Sequence, residues 1–175
     1  MENNSVKDNI VLIGMPGTGK STVGILLAKA LGKDFVDSDI LIQVSEGKTL
    51  QQIMDENDYL HLRDIEESVL TGINGHHLVI ATGGSAVYSE AAMNHLRHHG
   101  IIIYLDTPLP ELRQRITDYD TRGIARRPDQ SFEELYAERT ALYRRYADIT
   151  VKTEYASAEE VLNRIRQSLT NRNAP

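Results

Sequence analysis

Gly14-Met15-Pro16-Gly17-Thr18-Gly19-Lys20-Ser21 fits the phosphate-binding pattern G-x-x-x-x-G-K-[ST]. Glycines in such a loop let backbone N–H groups converge on phosphate oxygens, where side chains would block the approach. Lys20 is spaced to reach the transferable phosphates and Ser21 to offer its hydroxyl to Mg²⁺. Gly17, Thr18, Gly19, Lys20, Ser21 and Thr22 are therefore the expected phosphate ligands of a nucleoside triphosphate. The bland alternative is a glycine-rich turn with a chance lysine. The flanks argue against it: Ile10–Ile13 reads as a buried strand leading in, and Ser21–Leu31 as a helix leading out. Val23, Leu26, Leu27, Ala30 and Leu31 recur at helical spacing, and Gly32 stops the run. Lys20 is expected to open this helix at a solvent-facing position.

Four further groups could carry chemistry. In Asp37-Ser38-Asp39, one carboxylate can complete a Mg²⁺ shell, since hard cations prefer oxygen ligands. The other can hydrogen-bond or deprotonate an acceptor hydroxyl; a helix N-cap is the competing role. The adjacent glycines of Thr82-Gly83-Gly84-Ser85 let a ligand lie against bare backbone, or simply make a tight turn. Arg63 and Arg139 read on their own as helix-surface residues, with Glu66 or Glu67 spaced to pair with Arg63. Arg122, Arg126 and Arg127 fall in the irregular stretch 119–131, which could close as a basic lid over a phosphoryl-transfer site or be a solvated loop. His95, His98 and His99 share one helix face near its C-terminus and read as solvated.

The elements that must position these residues alternate. Ile10–Ile13, Asp34–Val36, Leu78–Ala81, Ile101–Leu105 and Ile149–Val151 read as strands. Helical patterns cover Thr22–Leu31, Asp39–Ser45, Leu50–Met54, Tyr59–Thr71, Glu90–His98, Pro110–Asp118, Phe132–Tyr146 and Ala158–Leu169, the last capped by Ser157. The pattern predicts a three-layer α/β domain over residues 1–175, with a central five-stranded parallel sheet, helices on both faces and a mobile lid at about 119–131. The chemistry-bearing residues follow strand ends or lie in the lid, so they should gather at one edge of the sheet. A frayed tail is expected over Asn171–Pro175.

Composition narrows the partners. The chain has 175 residues, 41% hydrophobic and 25% charged, as in an ordinary soluble domain. A net charge of −6 argues against a general nucleic-acid binder, and the arginines between Arg113 and Arg145 suit a small anion better than a polyanion. No apolar run approaches a membrane span. There is no cysteine, so no disulfide and no thiolate metal site. With no signal peptide apparent, the reading is of a cytoplasmic monomer with no membrane partner.

Taken together, these residues resemble the shikimate kinase family, P-loop kinases related to the nucleoside monophosphate kinases. The likeness runs from about Ile10 to Ala147. Besides Gly14–Ser21, it takes in Asp37-Ser38-Asp39, Arg63 with Glu66, Gly83-Gly84, and Glu138-Arg139 with Leu142-Tyr143 and Ala147-Asp148. It implies ATP and Mg²⁺ as cofactors, with Ser21 and Asp37 on the metal and Lys20 and Asp39 as catalytic residues. It also implies that Asp39, Arg63, Gly83, Gly84 and Arg139 hold shikimate, the arginines at its carboxylate, while a lid arginine, Arg122 or Arg127, touches the ATP phosphates. The implied activity is phosphorylation of a shikimate hydroxyl in aromatic amino-acid biosynthesis. Ser85, Asp58-Tyr59, Asp129-Gln130 and Ala141 depart from the family pattern, chiefly around acceptor and lid. A kinase of another hydroxylated acid, a nucleotide-binding switch (Asp120-Thr121-Arg122-Gly123 matches D-x-x-G) and a degenerate binding domain are the alternatives.

Overall fold

Alternate side chains of β1 (Asn9–Ile13) divide the core into two layers. A computed structural model of the chain describes residues 7–117, 119 and 122–172. After β1 come α1 (Lys20–Leu31), β2 (Asp34–Asp37), α2 (Ser38–Glu46), α3 (Leu50–Glu56), α4 (Tyr59–Thr71) and β3 (Leu78–Ala81). A short 3-10 turn (Ala86–Tyr88) leads to α5 (Glu90–His99), β4 (Gly100–Asp106), α6 (Leu109–Arg115), α7 (Phe132–Tyr146), β5 (Ile149–Lys152) and α8 (Ala158–Arg172). On one side of the sheet, Ile10, Leu12, Val79 and Leu105 pack against Val23 and Leu27 of α1 and Val161 and Ile165 of α8. On the other, Val11, Ile13, Ile80 and Tyr104 meet Leu70, Met93, Leu96, Leu135 and Tyr143 from α4, α5 and α7. A strand with both faces covered is buried along its whole length, as β1 and β3 are, and reads as a near-continuous apolar run, here Ile10–Ile13 and Leu78–Ala81.

All strand pairs are parallel, in the order β2-β3-β1-β4-β5. β1 and β3 are neighbours whose exits diverge: β1 feeds α1 on one face, while β3 feeds the 3-10 turn and α5 on the other. A crevice therefore opens between the loops after β1 and β3, the place where ligands bind in open parallel sheets. The expected α/β architecture and its five-stranded sheet are the observed ones.

Differences lie at element ends. α6 stops at Arg115 rather than Asp118, because Ile116 leaves helical geometry at φ −107° and ψ 95°. α8 continues through Asn171 and Arg172, which were expected in the tail. Ser157 does cap α8: it accepts from the Glu160 N–H at 3.2 Å, and Glu160 accepts from the Ser157 N–H at 2.7 Å. His95 and His99 are only half-buried rather than fully solvated; His95 Nε2 meets the Ile73 carbonyl at 2.7 Å, and the His99 ring contacts those of His76, His95 and His98. Asp118, the expected end of α6, and Asp120 and Thr121 of the expected lid lie outside the described residues, and with Asp120 and Thr121 half of the D-x-x-G match.

Candidate active site

The loop after β1 wraps back on its own lysine. Lys20 Nζ donates to the carbonyls of Gly14 at 2.8 Å and Met15 at 2.9 Å. The expectation of a solvent-facing Lys20 is corrected: the side chain is 8% exposed, because it folds under the loop rather than away from α1. Burial lowers its pKa to about 8, with Asp39 as the largest opposing influence. Gly17 and Gly19 sit at φ 83° and 90°, the left-handed region that lets consecutive N–H groups face one cavity. That cavity, of about 290 Å³, is lined by Gly17, Gly19, Lys20, Ser21, Thr22 and Asp39 on one side and Thr82, Arg115 and Arg122 on the other.

Asp37 ends β2 and performs two tasks at once. Its Oδ1 accepts from the N–H groups of Asp39 at 3.0 Å and Ile40 at 3.4 Å, capping α2. Its Oδ2 accepts the Ser21 hydroxyl at 2.5 Å. The cap and the cation-ligand reading are thus compatible, since they use different oxygens. In the first turn of α2, Asp39 lines the crevice; burial raises its pKa, as does Asp37, against the pull of Lys20, Arg122 and Arg139.

A second, smaller cavity of about 60 Å³ opens beside the first, lined among others by Leu62, Glu66, Gly83, Ser85, Ala125 and Arg139. Pro16, Asp39, Gly84 and Arg122 line both chambers. The turn after β3 forms the floor, and at its two glycines neighbouring side chains fill the space a Cβ would take. A Cβ on Gly83 would collide with Glu66 Oε1, and one on Gly84 would lie 2.7 Å from Arg139 Nη1. The turn is held from below, where Gly83 N–H donates to Ser38 Oγ at 2.9 Å and the Tyr143 hydroxyl donates to the Gly84 carbonyl at 2.6 Å.

Arg139 is 1% exposed, and its Nη2 donates to the Ala125 carbonyl at 2.6 Å. Arg63 reaches the same carbonyl at 3.4 Å and lies in the groove next to the small chamber, which shares Glu66 and Ser85 with it. Among the described residues, Arg63 forms no ion pair with Glu66 or Glu67; its guanidinium lies over the Tyr88 ring. The structure brings Arg122 to the chambers but not Arg127, which pairs with Glu138 at 3.2 Å. Thr18 is buried in the phosphate loop, its hydroxyl without a partner among the described residues.

Glu66, Ser38 and Arg115 are the site residues that sequence reasoning passed over. Glu66 is 3% exposed and accepts the Ser85 hydroxyl on Oε2, while Oε1 has no partner among the described residues. Burial, then Asp39, raises its pKa to about 7. Its spacing from Arg63 suggested a surface pair; the signal that could have found it is a carboxylate on the apolar face marked by Leu62 and Leu70. Arg115 donates to the Gly17 carbonyl at 3.4 Å and pairs with Glu111.

The two chambers meet at one carboxylate, Asp39, with the phosphate loop on one side and the Arg139 guanidinium on the other. Among the described residues, no helix is long and apolar enough to cross a membrane. The family model described as “SKI: Shikimate kinase” matches residues 16–170. A shikimate kinase of Persephonella marina is 37% identical over 163 residues, 90% of this chain and 99% of its own. One from Haemophilus influenzae is 38% identical over 173 residues, 95% of each chain. Among solved structures, shikimate kinase from Acinetobacter baumannii in complex with shikimate superposes with a TM-score of 0.89 at 32% identity, over 98% of this chain and 97% of that one. Shikimate kinase from Aquifex aeolicus gives 0.82 at 34% identity, over 94% and 97%.

Proposed function

The chain belongs to the shikimate kinase family, and from that membership we propose that it transfers the γ-phosphoryl group of ATP to a ring hydroxyl of shikimate, giving shikimate 3-phosphate and ADP. The observation that carries the reading is the wall common to both chambers. Asp39 faces the phosphate-loop cavity and the arginine-lined cavity alike, so a donor phosphate and an acceptor hydroxyl would meet beside it.

The roles follow from chemistry. Phosphoryl transfer asks the protein for positioning and charge stabilisation more than for covalent steps. The N–H groups of Gly17–Thr22 and the helix N-terminus hold the phosphates, and Lys20 and Arg122 neutralise charge on the group in transit. Arg63 and Arg139 grip the acceptor carboxylate, which suits planar, permanently charged donors. Asp39 accepts the hydrogen bond of the attacking hydroxyl and orients it along the transfer line, with its raised pKa fitting it to receive the proton as the bond to phosphorus forms. The Gly84 N–H and the bare Gly83 backbone, whose own N–H is held by Ser38, form the floor beneath the ring.

Ser21 and Asp37 fit Mg²⁺: they offer one hydroxyl and one carboxylate oxygen 2.5 Å apart, and Ser21 lines the phosphate cavity. Among the described residues there is no protein cluster of three or more metal-ligating side chains. Two protein oxygens completed by phosphates and water are the arrangement this ion favours. When bound, Mg²⁺ supplies charge neutralisation at the phosphate oxygens.

An ADP-release assay with shikimate, quinate and gluconate tests the reading. Release should depend on Mg²⁺ and rise on adding shikimate above the other acids. A rate unchanged by shikimate, or a stronger response to another acid, would overturn it.

A further inference from the structure

Two guanidinium groups share one aromatic ring. Arg63 Cζ lies 3.5 Å from the centroid of the Tyr88 ring, and Arg139 Cζ lies 5.5 Å from it. Among the described residues neither arginine forms an ion pair, and the Nε of each is buried without a hydrogen-bond partner. Their carbonyl contact is also shared, at Ala125. Two like charges that meet at one carbonyl need something to hold them apart and in place.

Tyr88 is built for that task. It ends the 3-10 turn that follows Gly83-Gly84-Ser85, and its N–H donates to the Ser85 carbonyl at 3.0 Å. Its hydroxyl donates to Glu138 Oε1, on the residue just before Arg139 in α7. The other oxygen of Glu138 is taken by Arg127 Nη1 and Gln130 Nε2, each at 3.2 Å. The ring is thus fixed at both ends, to the floor of the acceptor chamber and to α7.

We propose that Tyr88 is a positioning residue that sets the spacing and aim of Arg63 and Arg139 for the acceptor carboxylate. The inference rests on the proposed function, in which these arginines grip that group. A carboxylate partner would compete with the acceptor for the in-plane N–H donors of a guanidinium. An aromatic face attracts the cation without offering carboxylate oxygens to those donors, and so does not compete for a bidentate grip. Glu138 holds the ring rather than either arginine, so its negative charge stays off the ligand-facing donors.

The test is steady-state kinetics of full-length Tyr88→Leu and Tyr88→Phe with shikimate and ATP varied separately, alone and combined with Arg63→Ala. Tyr88→Leu should raise the KM for shikimate about tenfold, the scale of one largely desolvated cation–π contact. Its kcat and its KM for ATP should stay within about twofold. Tyr88→Phe, which keeps the face and loses only the anchor, should recover most of the loss. In the Arg63→Ala background, the effect of Tyr88→Leu should shrink, because part of what it acts through is gone. An unchanged KM for shikimate in Tyr88→Leu, equal losses for both substrates, or no recovery in Tyr88→Phe would each overturn the inference while the unmodified protein still phosphorylates shikimate. If the unmodified protein does not respond to shikimate at all, the functional reading falls and takes the inference with it.

Discussion

Ser21 Oγ and Asp37 Oδ2 stand 2.5 Å apart, tying the first turn of α1 to the end of β2 through a hydrogen bond that a cation would replace. The other oxygen of Asp37 caps α2, so the helix cap leaves Oδ2 available for the proposed Mg²⁺. Asparagine caps as well as aspartate. Asp37→Asn should therefore keep α2 and raise the Mg²⁺ concentration needed for half-maximal rate. Asp39→Asn should instead lower kcat and weaken acceptor binding at fixed Mg²⁺. Identical Mg²⁺ and acceptor profiles for the two variants would refute this division of labour.

Lys20 rests on the carbonyls of Gly14 and Met15, within its own loop, so its charge is stored where the phosphates arrive. Lys20→Ala should lower turnover at least ~100-fold, the scale of losing one electrostatic donor at a transition state. Thermal unfolding of the variant should remain cooperative, since the core layers on both faces of the sheet are untouched. Near-normal turnover in that folded variant would remove Lys20 from the mechanism.

Much of this was readable from sequence, for identifiable reasons. The strands of the sheet announce themselves as short apolar runs such as Ile10–Ile13 because both faces are covered, and the phosphate loop announces itself because its glycines and lysine sit between a strand and a helix. The acceptor side was less legible. Arg63 and Glu66 stand three apart on α4, which in sequence reads as a surface pair. Only the docking of α4 sends Glu66 inward to Ser85 and Arg63 over Tyr88, a contact 25 residues away along the chain. The lid departures also resolve in space: Asp129 is exposed, and Gln130 is buried with its amide on Glu138, so neither residue lines the acceptor chamber.

Glu66 gives the fold a pH signature. Its carboxyl is near 4.5 unfolded and about 7 folded, raised by burial and by Asp39 and opposed by the Ser85 hydroxyl, Arg139 and Lys20. The native state therefore holds the extra proton between those values, and stability falls as pH rises through that window. The whole effect is ~3 kcal/mol, for a carboxyl moved from 4.5 to about 7. In urea unfolding, Glu66→Gln should gain stability relative to the unmodified protein by roughly that amount between pH 4.5 and 8. A stability difference between the two proteins that does not change with pH would show that Glu66 does not titrate in the folded state.

Ser85 stands where the family pattern has glycine, and its hydroxyl is spent on Glu66 Oε2. Since Oε1 has no partner among the described residues, Ser85 supplies the hydrogen bond on which that buried carboxylate depends. The residue therefore acts on Glu66 before it acts on any acceptor. Ser85→Gly should destabilise the protein by ~1–3 kcal/mol at pH 8, the range for leaving a buried polar group unsatisfied. The loss should be smaller at pH 5, where Glu66 is largely protonated and carries no charge to support. Combining Ser85→Gly with Glu66→Gln should cost less than the sum of the two, because they remove the two ends of one interaction. The kcat/KM for shikimate should shift by less than about threefold in Ser85→Gly, below the effect of losing a whole binding group. A variant of unchanged stability with sharply improved shikimate turnover would reverse this assignment, making Ser85 a brake on the acceptor rather than a support for Glu66.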